Sequence, residues 1–336
     1  MTDQRIFRAS DPADLLALVP GVLGFHPEDS VVLMTVGDGE RPLHARVDLP
    51  AADPVSVDYL VQYLAALVAR SDLRRFVVLV YSDDAGLAEA LVHPFDALLS
   101  GIGAELVCAV RAAGERWWPV GAPPDDPGTE YDVRSHPFMA QMVLDGTVVL
   151  GSRRELADSL VGDDTEDARA VAAALRALAP RLRPGMVPAV GHPAQRDRLV
   201  PEGHWVRHRV RRWLTDRERL DPQDAARLAV ATAASIEVRD VAWAEIGREN
   251  ARAHVDLWRD VVRRVPADVR HAPATLLGFA AWLSGNGALA WCAVDVARES
   301  SPDYSLAGLL ADVLTEGMPP SSWRPLPPEA LTLFAG

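Results

Sequence analysis

Short apolar runs alternate with amphipathic segments along the first half of the chain. Residues 30–36 and 43–49 flank a glycine-rich turn and predict a β-hairpin, and residues 76–81 form an apolar run typical of a central strand. Helical patterns cover residues 54–69 and 85–99. Strands that alternate with helices predict an α/β domain with a mostly parallel or mixed sheet flanked by helices.

Helix-start signals recur along the chain. Asp11 followed by Pro12 predicts an N-cap and a first-turn proline, and Asp221 followed by Pro222 repeats the pattern. Ser152 and Glu155 have the spacing of a capping box. These signals predict where individual helices begin.

The second half is predicted to be helical throughout. Residues 181–203 are rich in proline and lack a hydrophobic period, so we predict an α/β domain at 1–180, a linker at 181–203 and a helical domain with a proline-rich tail at 204–336. Residues 272–294 carry no charge, but the Ser-Gly-Asn-Gly turn signal at 284–287 interrupts them. The pattern therefore favours a helical bundle or α-hairpin over a membrane span.

The charge is distributed unevenly between the halves. Residues 1–180 hold 14 Arg against 28 Asp and Glu, a formal charge of −14, whereas residues 181–336 hold 20 Arg against 19 acidic residues. The acidic N-terminal half repels phosphate backbones, so we do not expect it to bind nucleic acid.

All 34 basic residues are arginine. The missing lysine excludes P-loop nucleotide chemistry and lysine-dependent Schiff-base cofactors within this chain. Two cysteines without a C-x-x-C motif predict no metal site, and no cofactor is expected. The N-terminal residues lack a signal-peptide apolar region, which predicts a cytoplasmic location and no membrane association.

Several stretches resemble the actinobacterial proteins of domain of unknown function 4192. They are residues 23–32, 116–118, 152–156, 279–291 and 302–307. Members of that family often carry cysteines shortly after the paired tryptophans, whereas residues 119–123 here contain none, which argues against a metal or thiol role for this segment. The resemblance implies no particular activity.

Two polar clusters are candidate sites in the α/β domain. His26, Asp29 and Ser30 combine a base, a carboxylate and a hydroxyl just before a strand; the alternative, which the sequence favours, is a β-turn whose polar side chains bond to the local backbone. Residues 81–84 follow the central strand, where open α/β sheets hold ligands; helix capping is the alternative. The members of this second cluster are Tyr81, Ser82, Asp83 and Asp84.

Two adjacent tryptophans are a third candidate. On a strand, Trp117 and Trp118 point to opposite faces, so one can be buried while the other is presented to a ligand. Packing on both sides is the alternative.

Two functions remain open at this point. The first is a binding or scaffolding protein whose helical hairpins engage a protein partner, with Arg207, Arg211, Trp282 and Asn286 as candidate contacts. The second is a hydrolase-like small-ligand enzyme with its site where the strand ending at Tyr81 meets the turn at His26. The absence of catalytic motifs favours the first.

Overall fold

The computed structural model describes most of the chain as two compact units. The division falls between Glu155 and Leu156; we call Met1–Glu155 the α/β unit and Leu156–Gly336 the helical unit. The described residues are 9–37, 44–71, 73–144, 148–162, 165–178, 193–327, 330–331 and 333–334, without the side chains of 193–198.

The first unit contains a mixed six-stranded sheet, as the sequence predicts. The strand order is β2-β1-β3-β4-β5-β6; β3 and β4 are parallel, and the other neighbouring pairs among the described strands are antiparallel. The mixed alternative is therefore the observed one, because β2 and β5 pair antiparallel with their neighbours, whereas a crossover that contains α3 returns β4 parallel to β3. The elements are α1 (Pro12–Leu23), β1 (Ser30–Thr35), β2 (His44–Asp48), α2 (Pro54–Ala69), β3 (Arg75–Tyr81), α3 (Ala85–Gly101), β4 (Glu105–Ala113), β5 (Arg116–Pro119), β6 (Thr129–Glu130) and α4 (Pro137–Leu144).

The central strands are buried on both faces. Val31 of β1 and Val80 of β3 belong to a core formed with α2 and α3. On the opposite face Val32, Leu79 and Val110 are buried as well. This two-sided burial explains why residues 76–81 form an uninterrupted apolar run.

Side-chain caps begin several helices at the predicted residues. The Asp11 carboxylate accepts a hydrogen bond from the Asp14 backbone N–H at the start of α1, and Asp221 does the same for Asp224. Each bond satisfies a donor that the first turn of a helix leaves without an intrahelical partner.

The second unit is mostly helical, and its described residues contain helices and connecting turns but no strand. α5 (Arg153–Asp158) lies at the division and is followed by α6 (Glu166–Leu178), α7 (Pro193–Asp216), α8 (Pro222–Ala234), α9 (Ile236–Ala244), α10 (Ala251–Arg264), α11 (His271–Leu283), α12 (Gly287–Ser300) and α13 (Ser305–Thr315). Short 3-10 turns occur at Ala267–Val269 and Pro320–Ser322. No described helix is long and apolar enough to cross a membrane.

The predicted linker lies only partly within the described residues. Its first part, residues 181–192, lies outside the described residues, and residues 193–203 form the start of α7. Residues 166–178, which the sequence placed with the α/β domain, form α6, and α6 packs against α8. Proline at the first position of α7 is compatible with a helix start, which proline content alone did not reveal.

The uncharged segment at 272–294 contains two helices and a turn. α11 and α12 pack against each other, and Gly285 between them has a φ of 85°, a backbone conformation that glycine adopts without strain. The Asn286 side chain accepts a hydrogen bond from the Leu289 N–H and caps α12. Ser284, Gly285 and Asn286 therefore form the turn between the two helices.

Arg264 links α6 to α10 through ion pairs centred on its buried guanidinium. The guanidinium contacts Asp167 on α6 at 2.6 Å, Asp260 on α10 at 2.7 Å and the Leu220 carbonyl at 2.9 Å. Its side chain is only 4% exposed, so its charge depends on these partners.

Candidate functional site

Three polar side chains form a row across the sheet. Ser30 lies opposite Tyr81, Tyr81 is paired with Ala112, and Ala112 with Trp117. Residues paired in this way point to the same face of a sheet. Because the neighbouring Val31 and Val80 face α2 and α3, the row lies on the opposite face. We call Ser30, Tyr81 and Trp117 the polar row.

The polar atoms of the row are buried, and the described part of the chain offers them no hydrogen-bond partner. Ser30 Oγ, Tyr81 Oη and Trp117 Nε1 have no hydrogen-bond partner among the described residues. A buried polar group without a partner costs about 1–3 kcal/mol, so three on one face are unusual for a purely structural surface. Ala112 separates Tyr81 from Trp117, and two strand spacings place these strands about 10 Å apart.

The phenols of Tyr81 and Tyr131 remain protonated at neutral pH. Burial raises the pKa of Tyr81 well above its usual value, and the nearby Tyr131 raises it further. Burial also raises the pKa of Tyr131, which follows β6. Both hydroxyl groups can therefore donate hydrogen bonds.

His26 belongs to the turn that leads into β1. Burial lowers the pKa of its imidazole, the Arg134 guanidinium lowers it further, and Glu28 opposes them. The imidazole is therefore mostly neutral near pH 7. Because Tyr131 neighbours Tyr81 and Arg134 acts on His26, the loop at 131–136 lies close to both predicted clusters.

Asp29 has a backbone role in this turn. Its φ is 40°, in the left-handed region that Asp tolerates better than most residues, and its carbonyl accepts a hydrogen bond from the Leu49 N–H. The β-turn explanation of this segment accounts for Asp29, whereas Ser30 belongs to the strand.

Ser82 and Asp84 cap α3. Asp84 accepts a hydrogen bond from the Leu87 N–H, and Ser82 Oγ accepts one from the Asp84 N–H. This is the capping alternative that the sequence left open. Asp83 is exposed, and the Arg111 guanidinium donates to the Ser82 carbonyl. Of residues 81–84, Tyr81 is therefore the member of the polar row.

Trp118 lies on the face opposite to Trp117. It pairs with Arg111, whose guanidinium carbon is 4.0 Å from the centre of the indole ring, and its N–H donates to the Asp126 carbonyl at 3.0 Å. The ring also lines a cavity of about 150 Å³ beside the start of α3. Adjacent indoles therefore differ: Trp118 N–H is paired, and Trp117 N–H is without a partner in the described chain.

Asp14 and His136 form a carboxylate–histidine pair that the sequence did not predict. His136 Nδ1 accepts a hydrogen bond from the Phe138 N–H, which leaves Nε2 to donate to Asp14 Oδ1 at 3.0 Å. The two residues are 122 positions apart, and His136 lies in a stretch of the chain for which the sequence predicted neither a helix nor a strand. Tyr131 and Arg134 of the same loop were missed for the same reason.

The described residues show no group of three or more His, Cys, Asp or Glu side chains that could hold a metal ion. Burial raises the pKa of the Cys108 thiol, which keeps it protonated and a weak nucleophile at neutral pH.

The four candidate contacts in the helical unit have partners within that unit. Arg207 and Arg211 on α7 both pair with Glu245, at 3.3 Å and 2.6 Å. Trp282 is buried and its N–H donates to the Met318 carbonyl at 2.9 Å. Asn286 caps α12. Each of these side chains has a structural role in the unit.

The molecule is thus a two-unit protein in which a mixed-sheet α/β unit carries a polar row and is followed by a helical unit. The family model described as "Domain of unknown function (DUF4192)" matches residues 12–321, and the chain belongs to this family. No curated protein and no solved structure matches the chain.

Proposed function

We propose that the α/β unit binds a small polar molecule on the polar row. The observation that carries the proposal is the alignment of Ser30 Oγ, Tyr81 Oη and Trp117 Nε1 on one face, each buried and without a partner among the described residues. A ligand that bonds to these groups removes the cost of leaving them unpaired.

The row restricts the chemistry of the ligand. An indole N–H is a donor only, so the group beside Trp117 must be an acceptor, whereas the hydroxyl groups of Ser30 and Tyr81 donate and accept. Arg134 is exposed and acts electrostatically on His26 beside the same sheet end. A carboxylate or another anionic acceptor is therefore favoured over a cation.

The geometry supports binding rather than hydrolysis. A general base must lie within hydrogen-bond reach of its nucleophile, and Ser30 Oγ has no hydrogen-bond partner in the described residues. His26 is neutral enough to act as a base, but the contacts do not couple it to Ser30. Of the small-ligand enzyme alternative, these contacts support the binding of a ligand and do not support its hydrolysis.

We also propose that the protein is cytoplasmic and of actinobacterial origin. Neither Cys108 nor Cys292 is in a disulfide, which suits a reducing compartment. A protein partner for the helical unit stays a prediction, because Arg207, Arg211, Trp282 and Asn286 contact other residues of that unit.

The two adjacent tryptophans provide the test. Protein purified under native conditions is denatured, and the released small molecules are measured by mass spectrometry for wild type, Trp117→Phe and Trp118→Phe. We expect Trp117→Phe to lose a bound molecule that wild type and Trp118→Phe retain, because Trp117 belongs to the polar row and Trp118 lies on the opposite face of the sheet. Equal occupancy in both variants, or no bound molecule in wild type together with no stabilisation by a library of small carboxylates, contradicts the proposal.

A further inference from the structure

A small cavity in the α/β unit lies between the first turns of α3 and the segment that follows β5. Its volume is about 150 Å³, and its lining includes Glu89 of α3, Arg111 of β4 and Trp118 of β5. Arg111 and Trp118 are paired on the face of the sheet opposite to the polar row. We call this space the α3 cavity.

Arg111 contributes a positive charge to the α3 cavity. Its guanidinium donates to the Ser82 carbonyl at 3.2 Å, and the central carbon of the guanidinium lies 4.0 Å from the centre of the Trp118 ring. Neither partner carries a negative charge, and the side chain makes no ion pair in the described part of the chain. The hydrogen bonds to backbone carbonyls use Nη1, so Nε and Nη2 can donate to a ligand.

Glu89 contributes the opposite charge to the same cavity. Its side chain is half-buried, and the described residues give its carboxylate neither a hydrogen bond nor an ion pair, so Glu89 and Arg111 do not contact each other. Asp126 also lines the cavity, but its carboxylate accepts a hydrogen bond from the Gly128 N–H at 2.7 Å. The cavity therefore has one unpaired charge of each sign.

The lining matches a small molecule that carries both charges. A simple anion is repelled by Glu89 and a simple cation by Arg111, whereas a zwitterion is attracted by both. The start of α3 also favours a carboxylate beside Arg111, because the helix dipole is positive there. The remaining walls include Ala88, Val120 and the Trp118 ring, which suit a short apolar side chain. A cavity of this volume holds a molecule the size of benzene, so large side chains are excluded.

We propose that the α3 cavity binds a small zwitterionic amino acid, whose carboxylate pairs with Arg111 and whose ammonium group pairs with Glu89. The observation that carries the proposal is that two opposite, half-buried charges line one cavity without contacting each other. The cavity lies at the carboxyl ends of the parallel strands β3 and β4, where open α/β sheets hold ligands. This site is separate from the polar row, which lies on the other face of the sheet.

Three matched probes test the charge requirement. L-alanine carries both charges, propionate lacks the ammonium group, and ethylamine lacks the carboxylate. NMR titration of the full chain follows the indole N–H resonance of Trp118, which Trp118→Phe assigns and which reports on the α3 cavity. We expect L-alanine to shift this resonance at a concentration about tenfold lower than propionate or ethylamine, because each of those probes loses one charge-assisted interaction.

Two charge variants test the roles of the side chains. Glu89→Gln and Arg111→Met should each weaken L-alanine binding about tenfold. Glu89→Gln should also abolish the preference for L-alanine over propionate, and Arg111→Met the preference over ethylamine. The matched controls are Glu105→Gln and Arg75→Met, because these two residues form an exposed ion pair outside the cavity. Both controls should bind L-alanine as wild type does.

The size of the cavity provides a further test. L-phenylalanine should leave the Trp118 resonance unchanged, because its side chain exceeds the volume of the cavity. If Arg111→Met does not fold, the comparison of Glu89→Gln with Glu105→Gln decides. The proposal is overturned by a Trp118 resonance that L-alanine does not move, by an equal response to L-alanine, propionate and ethylamine or to L-phenylalanine, or by a folded Glu89→Gln variant that binds L-alanine as wild type does.

Discussion

Ser30, the first residue of β1, lies directly opposite Tyr81, the last residue of β3, and the hydroxyl groups of both are buried without a partner in the described chain. The pairing joins the turn that contains His26 to the end of the central strand. Because each unpaired hydroxyl has a desolvation cost, this relationship can be tested by stability measurements without knowing the ligand.

Tyr81→Phe removes one of these hydroxyl groups and keeps the ring. We expect the free energy of unfolding of ligand-free protein to rise by about 1–3 kcal/mol, because the desolvation cost of an unpaired group disappears. Urea denaturation measures the change. The matched control is Ser82→Ala, which removes a hydroxyl that accepts from the Asp84 N–H and should lower stability by about 0.5–2 kcal/mol. Destabilisation by both variants would show that Tyr81 Oη is satisfied.

The electrostatic surroundings of His26 predict two opposite changes. Arg134→Gln should raise the pKa of His26, because the cation that disfavours the imidazolium is removed, whereas Glu28→Gln should lower it further. NMR titration of the His26 ring protons measures both changes. Shifts of the same sign in the two variants would show that these side chains do not act on His26 through their charges.

We expect the helical unit to lose stability at acidic pH because of His254. It is fully buried, its Nε2 lies 3.0 Å from the Glu245 carbonyl, and its pKa is lowered, chiefly by burial, from 6.5 to about 4. Between pH 6.5 and 4 the unfolded chain therefore binds more protons than the folded protein. The contribution of His254 to stability is fully present above pH 6.5 and is lost as the pH falls towards 4, by about 3 kcal/mol in total.

His254→Gln should reduce this pH dependence. Urea denaturation at pH 8, 6.5 and 5 compares the slopes of stability against pH for the variant and wild type. Part of the slope should remain, because burial also lowers the pKa of His271. Identical slopes in both proteins would exclude His254 as a source of acid sensitivity.

Arg264 and Arg219 contact the same two carboxylates with different burial. Arg264 is 4% exposed and Arg219 is 65% exposed, yet both pair with Asp167 and Asp260. Arg264→Met should cost about 1.5–3 kcal/mol, because it removes a buried guanidinium that donates to two partly exposed carboxylates and to the Leu220 carbonyl. Arg219→Met should cost only about 0–1 kcal/mol, because an exposed pair is screened by solvent. Similar thermal melts of the two variants would contradict this difference.

The amino-acid sequence by itself determined the local elements. The apolar run at 76–81 predicted a buried strand, and Asp11, Ser152 and Asp221 marked helix starts that the structure confirms through backbone hydrogen bonds to their side chains. The turn at 284–287 was predicted in the same way. These features depend on residues a few positions apart, because helix caps and strand periodicity act over one turn or one strand.

Only the tertiary structure decided which of these elements meet. The register that places Ser30 opposite Tyr81, and Trp117 in the same row, joins strands far apart in the chain, and a shift of one residue would turn each side chain to the other face. The contact between Asp14 and His136 and the docking of Trp323 beside Trp243 are likewise long-range. Such pairings depend on strand order and on the packing of whole helices, which no local pattern of residues specifies.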